Sequence, residues 1–179
     1  MKIYGENTVL KEIQNRRSVR EYKSKSVSDK DILEIIKAGQ FAPSARHNMA
    51  VEFIVIKEQK TKEAICEIIN ANRQFKTNQD YVKNVPVLLI PVTDKNKTEM
   101  PIQDLSVASE NIFLQAAALG LGTVWKNVWP EIEEEMKKLL GLPINFTLIN
   151  IIPIGYPQEK IEPHSDKDFS QKKIHYEKW

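Results

Sequence analysis

The sequence predicts one domain of the α+β or mixed α/β class, and three observations point there. Val85–Val92 and Leu148–Ile154 are almost wholly apolar runs of strand length, the pattern of strands covered on both faces. Ile102–Leu119 is the longest helical signal, with Ala108, Ile112, Ala116 and Leu119 on one face. The signals run helix, helix, strand, helix, strand, long helix, short strand, helix, strand, tail, with no internal repeat and no low-complexity linker.

Taken in order, Asn7–Asn15 carries Val9, Leu10 and Ile13 at helical spacing and runs into Arg16-Arg17-Ser18-Val19-Arg20. Ser28 reads as an N-cap with Asp31 three residues on, a weaker relative of the capping box. Ile32, Leu33, Ile35, Ile36 and Phe41 then give a helix ending near Ala42-Pro43. Pro43–Asn48 is a loop by composition, and Val51–Ile56 reads as a strand. Lys60–Asn70 is amphipathic, with Ala64, Ile65, Ile68 and Ile69 inward, whereas Arg73–Lys83 reads as polar and irregular. Gly120 and Gly122 bracket the end of the long helix, and Val124–Trp125 starts a short strand. Pro130 suits a helix N1 position, followed by acidic Glu131, Glu133 and Glu134 and then basic Lys137 and Lys138. The tail, 158–179, is polar but holds Ile161, Phe169, Ile174, Tyr176 and Trp179, anchors that suit docking on a second subunit.

The 179 residues are 41% hydrophobic and 28% charged, the balance of a globular chain that buries a core without disulfides or metal staples. Lysine and arginine number 26 against 24 acidic residues, a net +2 that gives no reason to expect nucleic acid or a membrane surface as partner. Cys66 is the sole cysteine, so no intrachain disulfide forms, which fits a reducing, cytoplasmic setting. Met1–Arg17 has no apolar signal core, and no run reaches bilayer-spanning length.

Several chemistries are missing. His47, His164 and His175 lack metal-ligand spacing, and there is no HExxH, CxxC, GxSxG or GxxxxGK[ST]. Gly120-Leu121-Gly122 follows a helix instead of opening one, so it fails as a dinucleotide fingerprint and reads as a helix-ending turn. Cys66 lies on the inward side of its helix as a small core residue. The arginine cluster is better placed: a planar guanidinium donates two hydrogen bonds to phosphate at once, and Ser18 adds a hydroxyl. Taken alone, such a cluster is more often a solvated helix end. Asn48, in the second loop, both donates and accepts, as recognition of a heteroaromatic edge requires.

Together these segments carry a resemblance. Arg16–Tyr22 resembles the R-R-S-x-R-x-[FY] opening of the FMN-dependent nitroreductase family. Ala42–Asn48 is similar to its A-P-S-x-x-N-x-Q-P loop, Ala118–Trp125 to its A-L-G-L-G-[ST]-x-W segment, and Ile154–Pro157 to its [IL]-G-Y-P close. His175–Trp179 matches a common ending. The five motifs stand in the family's order and cover nearly the whole chain.

The resemblance implies an α+β, three-layer fold: a central, mainly antiparallel sheet flanked by helices, in an intertwined homodimer with two FMN sites at its interface. The partner's tail would add a strand. By position, Arg16 and Arg20 would hold the FMN phosphate, with Arg17 and Ser18 on phosphate, ribityl or pyrimidine edge. Pro43, Ser44 and Ala45 would come from the other subunit and line the isoalloxazine, with Asn48 nearby. Val124, Trp125, Lys126 and Asn127 would lie along the flavin, their backbone N–H groups toward N5 and O4. A tail lysine, Lys167 or Lys172, would complete the phosphate site. Met49, Ala50 and Val51 stand after Asn48 in place of Q-P, and Lys126-Asn127-Val128 replaces a small, glycine-rich turn. Lys126 either sets a cation near the flavin or points to solvent, the commoner place for a lysine.

The implied activity is hydride transfer from NADH or NADPH to flavin N5 and on to a small aromatic acceptor, a nitroaromatic or quinone, in a ping-pong cycle. Reductive dehalogenation, flavin fragmentation, ene reduction or a non-enzymatic flavin-binding dimer are the alternatives. Phe75 and Tyr81, in the polar stretch before the second strand, are candidates to stack on such a substrate.

Overall fold

The computed structural model describes residues 9–72 and 78–179. In chain order the elements are α1 (Lys11–Asn15), α2 (Asp29–Gln40), β1 (Val51–Ile56), α3 (Gln59–Ala71), α4 (Tyr81–Asn84), β2 (Val87–Asp94), α5 (Pro101–Ala118), β3 (Gly122–Thr123), β4 (Lys126–Asn127), α6 (Pro130–Leu140), β5 (Phe146–Thr147) and β6 (Asn150–Gly155). Every residue of β2 and β6 is buried, as their almost wholly apolar runs predict, and the polar Thr93, Asp94 and Asn150 are buried with them.

β2 pairs antiparallel with β1, from Val51↔Thr93 to Ile56↔Leu88, and with β6 through Val87↔Ile154 and Leu89↔Ile152. β3 and β4 pair successive stretches of β6, and β5 extends β2. The path β1-β2-β6-β3 is antiparallel throughout. Alternate β2 residues feed two cores. Leu88, Ile90 and Val92 pack with Ile65, Ile69, Ile132 and Met136 of α3 and α6. Val87 and Leu89 pack with Ile32, Ile35, Ile112 and Ala116 of α2 and α5. The result is helices, sheet, helices: the expected three layers. Each fully buried aliphatic side chain contributes about 1.5–3 kcal/mol.

α2 is capped as predicted: Ser28 Oγ accepts the Asp31 N–H at 3.1 Å. α6 starts with Pro130 and ends at Gly141, whose φ of 67° is the left-handed region that glycine enters without strain. Four expectations need correction. α1 is five residues long, and Asn7 and Thr8 lie outside the described residues. The second strand starts at Val87, because Val85 closes α4 and Pro86 has no N–H for a ladder. Tyr81–Lys83 belongs to α4 instead of an irregular stretch, while Arg73 and Phe75 fall outside the described residues. Val124–Trp125 is the link between β3 and β4, not itself a strand.

The arginine segment joins this sheet at β3. Ser18 bridges Thr123, Tyr22 bridges Pro157, and the Val19 N–H donates to Thr123 O at 2.9 Å. Gly122 makes the approach possible: a Cβ there would meet Val19 Cγ2 at 2.6 Å. Gly122→Ala is expected to destabilise the fold by about 1–3 kcal/mol through overpacking, read as a lower urea midpoint. Adding Val19→Ala should recover part of the loss, because the two residues share one contact. An unchanged midpoint in the single variant contradicts this packing.

Candidate active site

Extended backbone sends alternate side chains to opposite sides. Arg17 lines a cavity of about 600 Å³ past the end of α5, with Phe113, Ala117 and Gly120–Thr123. Arg20 and Tyr22 line another of about 390 Å³, with Tyr81, Asn84 and Gln158. Arg17 therefore parts from Arg20, while Arg16 and Ser18 share Arg20's parity. Arg17 Nη1 lies 3.3 Å from His164 Nδ1, which is also 3.1 Å from Asp168 Oδ2. The Ser165 N–H and then His164 hold the Asp168 carboxyl below its ordinary value. The tail thus passes the arginine segment at His164, and the turn bearing Lys167 follows directly. Lys172 sits in the next turn, and both lysines are exposed.

The stretch Val124–Asn127 continues from β3 along the same sheet edge. Val124 is buried, and Trp125 meets Phe113 edge-on at 6.3 Å between centroids. Trp125 Nε1 donates to Asn127 Oδ1 at 3.4 Å. Lys126 corrects the commoner expectation: it is 3% exposed, and its Nζ donates to Gln79 Oε1 at 3.0 Å. Burial, and after it the Arg20 guanidinium, lower its pKa to about 8. Tyr22 and Tyr81 are pushed up by burial and stay neutral phenols at pH 7.

The loop before β1 is strained and tightly tied. Arg46, His47 and Met49 have φ of 50°, 55° and 49°, the left-handed region that costs a non-glycine residue free energy. Buried Asp104 of α5 holds the loop: Oδ1 accepts the Ala45 N–H at 2.9 Å and Oδ2 the Thr98 hydroxyl at 2.6 Å. Ser44 Oγ accepts the Met49 N–H at 3.0 Å, and Asn48 Oδ1 accepts the Ala50 N–H at 3.1 Å. The Arg46–Glu99 ion pair is exposed and adds little. Asn48 therefore spends its carbonyl oxygen inside the loop, and the exposed side chain before it is His47. Counting A-P-S-x-x-N from Ala42 also lands on His47, so position-counting alone would have found it.

Pro43 and Ser44 line a cavity of about 130 Å³ with Asp104 and Ala108. Neither cavity of the arginine segment includes Pro43, Ser44 or Ala45. The reason is topological. The loop enters β1 at one sheet edge, whereas Ser18 bridges β3 at the other. Four inter-strand steps of about 4.8 Å separate them, roughly 19 Å. The structure brings Arg16–Arg20 and Val124–Asn127 together and keeps Pro43–Asn48 apart from both.

Asp104→Ala removes both acceptors and strands the Ala45 N–H. The loss should be about 1.5–3 kcal/mol, the range for hydrogen bonds to a charged group, with a smaller loss for Asp104→Asn. Equal stability of the alanine variant in chemical denaturation contradicts the clamp.

The chain is similar along most of its length to known proteins. An Archaeoglobus fulgidus protein named provisionally as an NADH dehydrogenase/NAD(P)H nitroreductase is 37% identical over 174 residues, 95% of this chain and 98% of that one. The solved structure of an FMN-dependent nitroreductase from Clostridium difficile R20291 superposes with a TM-score of 0.86 at 30% identity, covering 94% of this chain and 98% of the other. Daphnia pulex iodotyrosine deiodinase is 28% identical over 89% of this chain and 61% of its own length. The nitroreductase family model matches residues 13–156, and the chain belongs to the nitroreductase family.

Proposed function

We propose that the chain is an FMN-dependent oxidoreductase. It takes hydride from NADH or NADPH and passes it to a nitroaromatic, quinone or similar small acceptor by a ping-pong cycle. One observation carries the reading: the Arg16–Arg20 segment, which the family resemblance assigns to the same cofactor as Val124–Asn127, bridges at Ser18 to Thr123, the residue immediately before that stretch. The A. fulgidus and C. difficile relatives support the reaction class through their names.

The donor set fits FMN. Arg16, Ser18 and Arg20 offer two guanidinium forks and a hydroxyl on one side of an extended segment, the chemistry that holds a phosphate. When bound, FMN supplies the hydride and electron transfer. Val124–Asn127 would run along the ring, fixed from behind by the β4–β6 pairing and by Trp125 on Phe113. Pro43–Ala45 would close the ring from the other side, with Ser44 and Asn48 still carrying free donors, the hydroxyl hydrogen and the amide Nδ2. Because roughly 19 Å separates these groups within one chain, that closing loop belongs to a second copy, and the site is a homodimer's. The exposed Phe169, Tyr176 and Trp179 of the tail support such a partner.

The purified protein is expected to carry one FMN per chain, bleached by NADH or NADPH and re-oxidised by a nitroaromatic or quinone. Arg16→Ala with Arg20→Ala should release it, each lost contact being worth about 1.5–3 kcal/mol. Fluorescence titration with FMN measures this, and parental affinity in the double variant contradicts the phosphate assignment.

A further inference from the structure

His47, in the loop before β1, has no partner inside its own chain. Its φ of 55° lies in the left-handed region. Histidine tolerates that region better than most side chains, but glycine and asparagine enter it more readily. The backbone therefore gives no reason for an imidazole here. The A-P-S-x-x-N pattern counted from Ala42 sets an asparagine at the same position. The ring is exposed, and it makes no hydrogen bond, ion pair or aromatic contact among the described residues. It lines neither the cavity with Pro43 and Ser44 nor that of about 250 Å³ with Arg46, Asn48, Lys95 and Lys97. In the second cavity Arg46 meets Glu99 at 3.1 Å, and Lys97 meets Glu52 at 3.7 Å. His47 is nonetheless anchored. Its N–H donates to Ser44 O at 3.0 Å, and Asp104 fixes Ala45 two residues before it. A strained but anchored residue that faces outward is of the kind retained at functional sites.

We propose that His47 is a catalytic residue, the proton donor to the acceptor that is reduced in the second copy's site. The inference rests on the FMN and homodimer reading above, in which Pro43–Ala45 close over the ring held by the other chain. His47 is hydrogen-bonded to Ser44 of that same stretch, so its imidazole is presented to an acceptor stacked there.

A quinone gains two electrons and one proton as hydride. The second proton passes from the protonated His47 ring to the quinone oxygen left negative. An N–H bond breaks, an O–H bond forms, and hydroquinone leaves. The neutral ring then takes a proton back from water. A nitro group is served in the same way, hydride and that proton together converting it to a nitroso group and one water. Histidine is the side chain most often used for such transfers. An asparagine in its place would hold the acceptor by hydrogen bonds without supplying the proton.

The test follows re-oxidation of FMN-loaded, dithionite-reduced protein in the parent, His47→Asn and His47→Gly. The acceptors are a benzoquinone, which takes protons, and ferricyanide, which takes electrons alone. The ratio of the quinone rate to the ferricyanide rate should fall about 100-fold in both variants, the lower end of what a positioned general acid contributes. Added imidazole should restore the quinone rate of His47→Gly and leave its ferricyanide rate unmoved. In urea, both variants should unfold at a midpoint no lower than the parent's. An unchanged ratio overturns the proposal, as does a glycine variant that imidazole does not restore. So does a lowered midpoint, or failure of both variants to fold, since the imidazole would then be part of the fold. A chain that takes up no FMN overturns the preceding reading first, and this inference with it.

Discussion

The contact between Val19 and Gly122 is the constraint on which the site depends. An extended segment with three arginines has no hydrophobic reason to lie anywhere in particular. It is held because Val19 seats where Gly122 has no side chain and donates its N–H to Thr123 O. That seat orients the neighbours by parity, sending Arg17 past the end of α5 and Arg20 toward α4. It also lays the arginines beside the link between β3 and β4. The chemistry the site offers, cationic forks next to a backbone edge, is a consequence of one missing methyl group.

The same sheet separates what one cofactor would need to touch. β1 and β3 are opposite edges, so the loop that feeds β1 stands far from the arginines. That loop is nevertheless built at a cost, with three left-handed non-glycine residues held by Asp104, Ser44 and Asn48. Strain retained in this way is compatible with a surface that meets something outside its own chain. In the proposed homodimer a second copy would answer both facts, supplying the absent half of each site and covering the tail's aromatic residues.

Much of the fold was legible because burial leaves a periodic trace. β2 and β6 are mostly apolar because helices cover both faces, and α5 and α6 announce themselves by spacing, proline and glycine. The short elements were not legible. β3 and β4 are two residues each and exist only because β6 lies beside them. α4 hides in a polar stretch, since its single fully buried residue is Val82. In the site, the arginine segment and the glycine pair were found by motif. The fate of Lys126 was not, because its partner Gln79 stands 47 residues earlier and local sequence carries no sign of it. Asn48 was singled out as a side chain that both donates and accepts, whereas counting along the pattern lands on His47.

The central claim is that each flavin site takes one half from each of two chains. Mixing two defective chains tests it most directly: one carrying Arg16→Ala and Arg20→Ala, the other carrying Ala45→Trp, which fills the ring-facing loop. Neither should hold FMN alone. Refolded together, differently tagged mixed dimers should regain one FMN per dimer, because one of their two sites has both halves intact. Mixed dimers that form and bind no FMN would contradict the shared site.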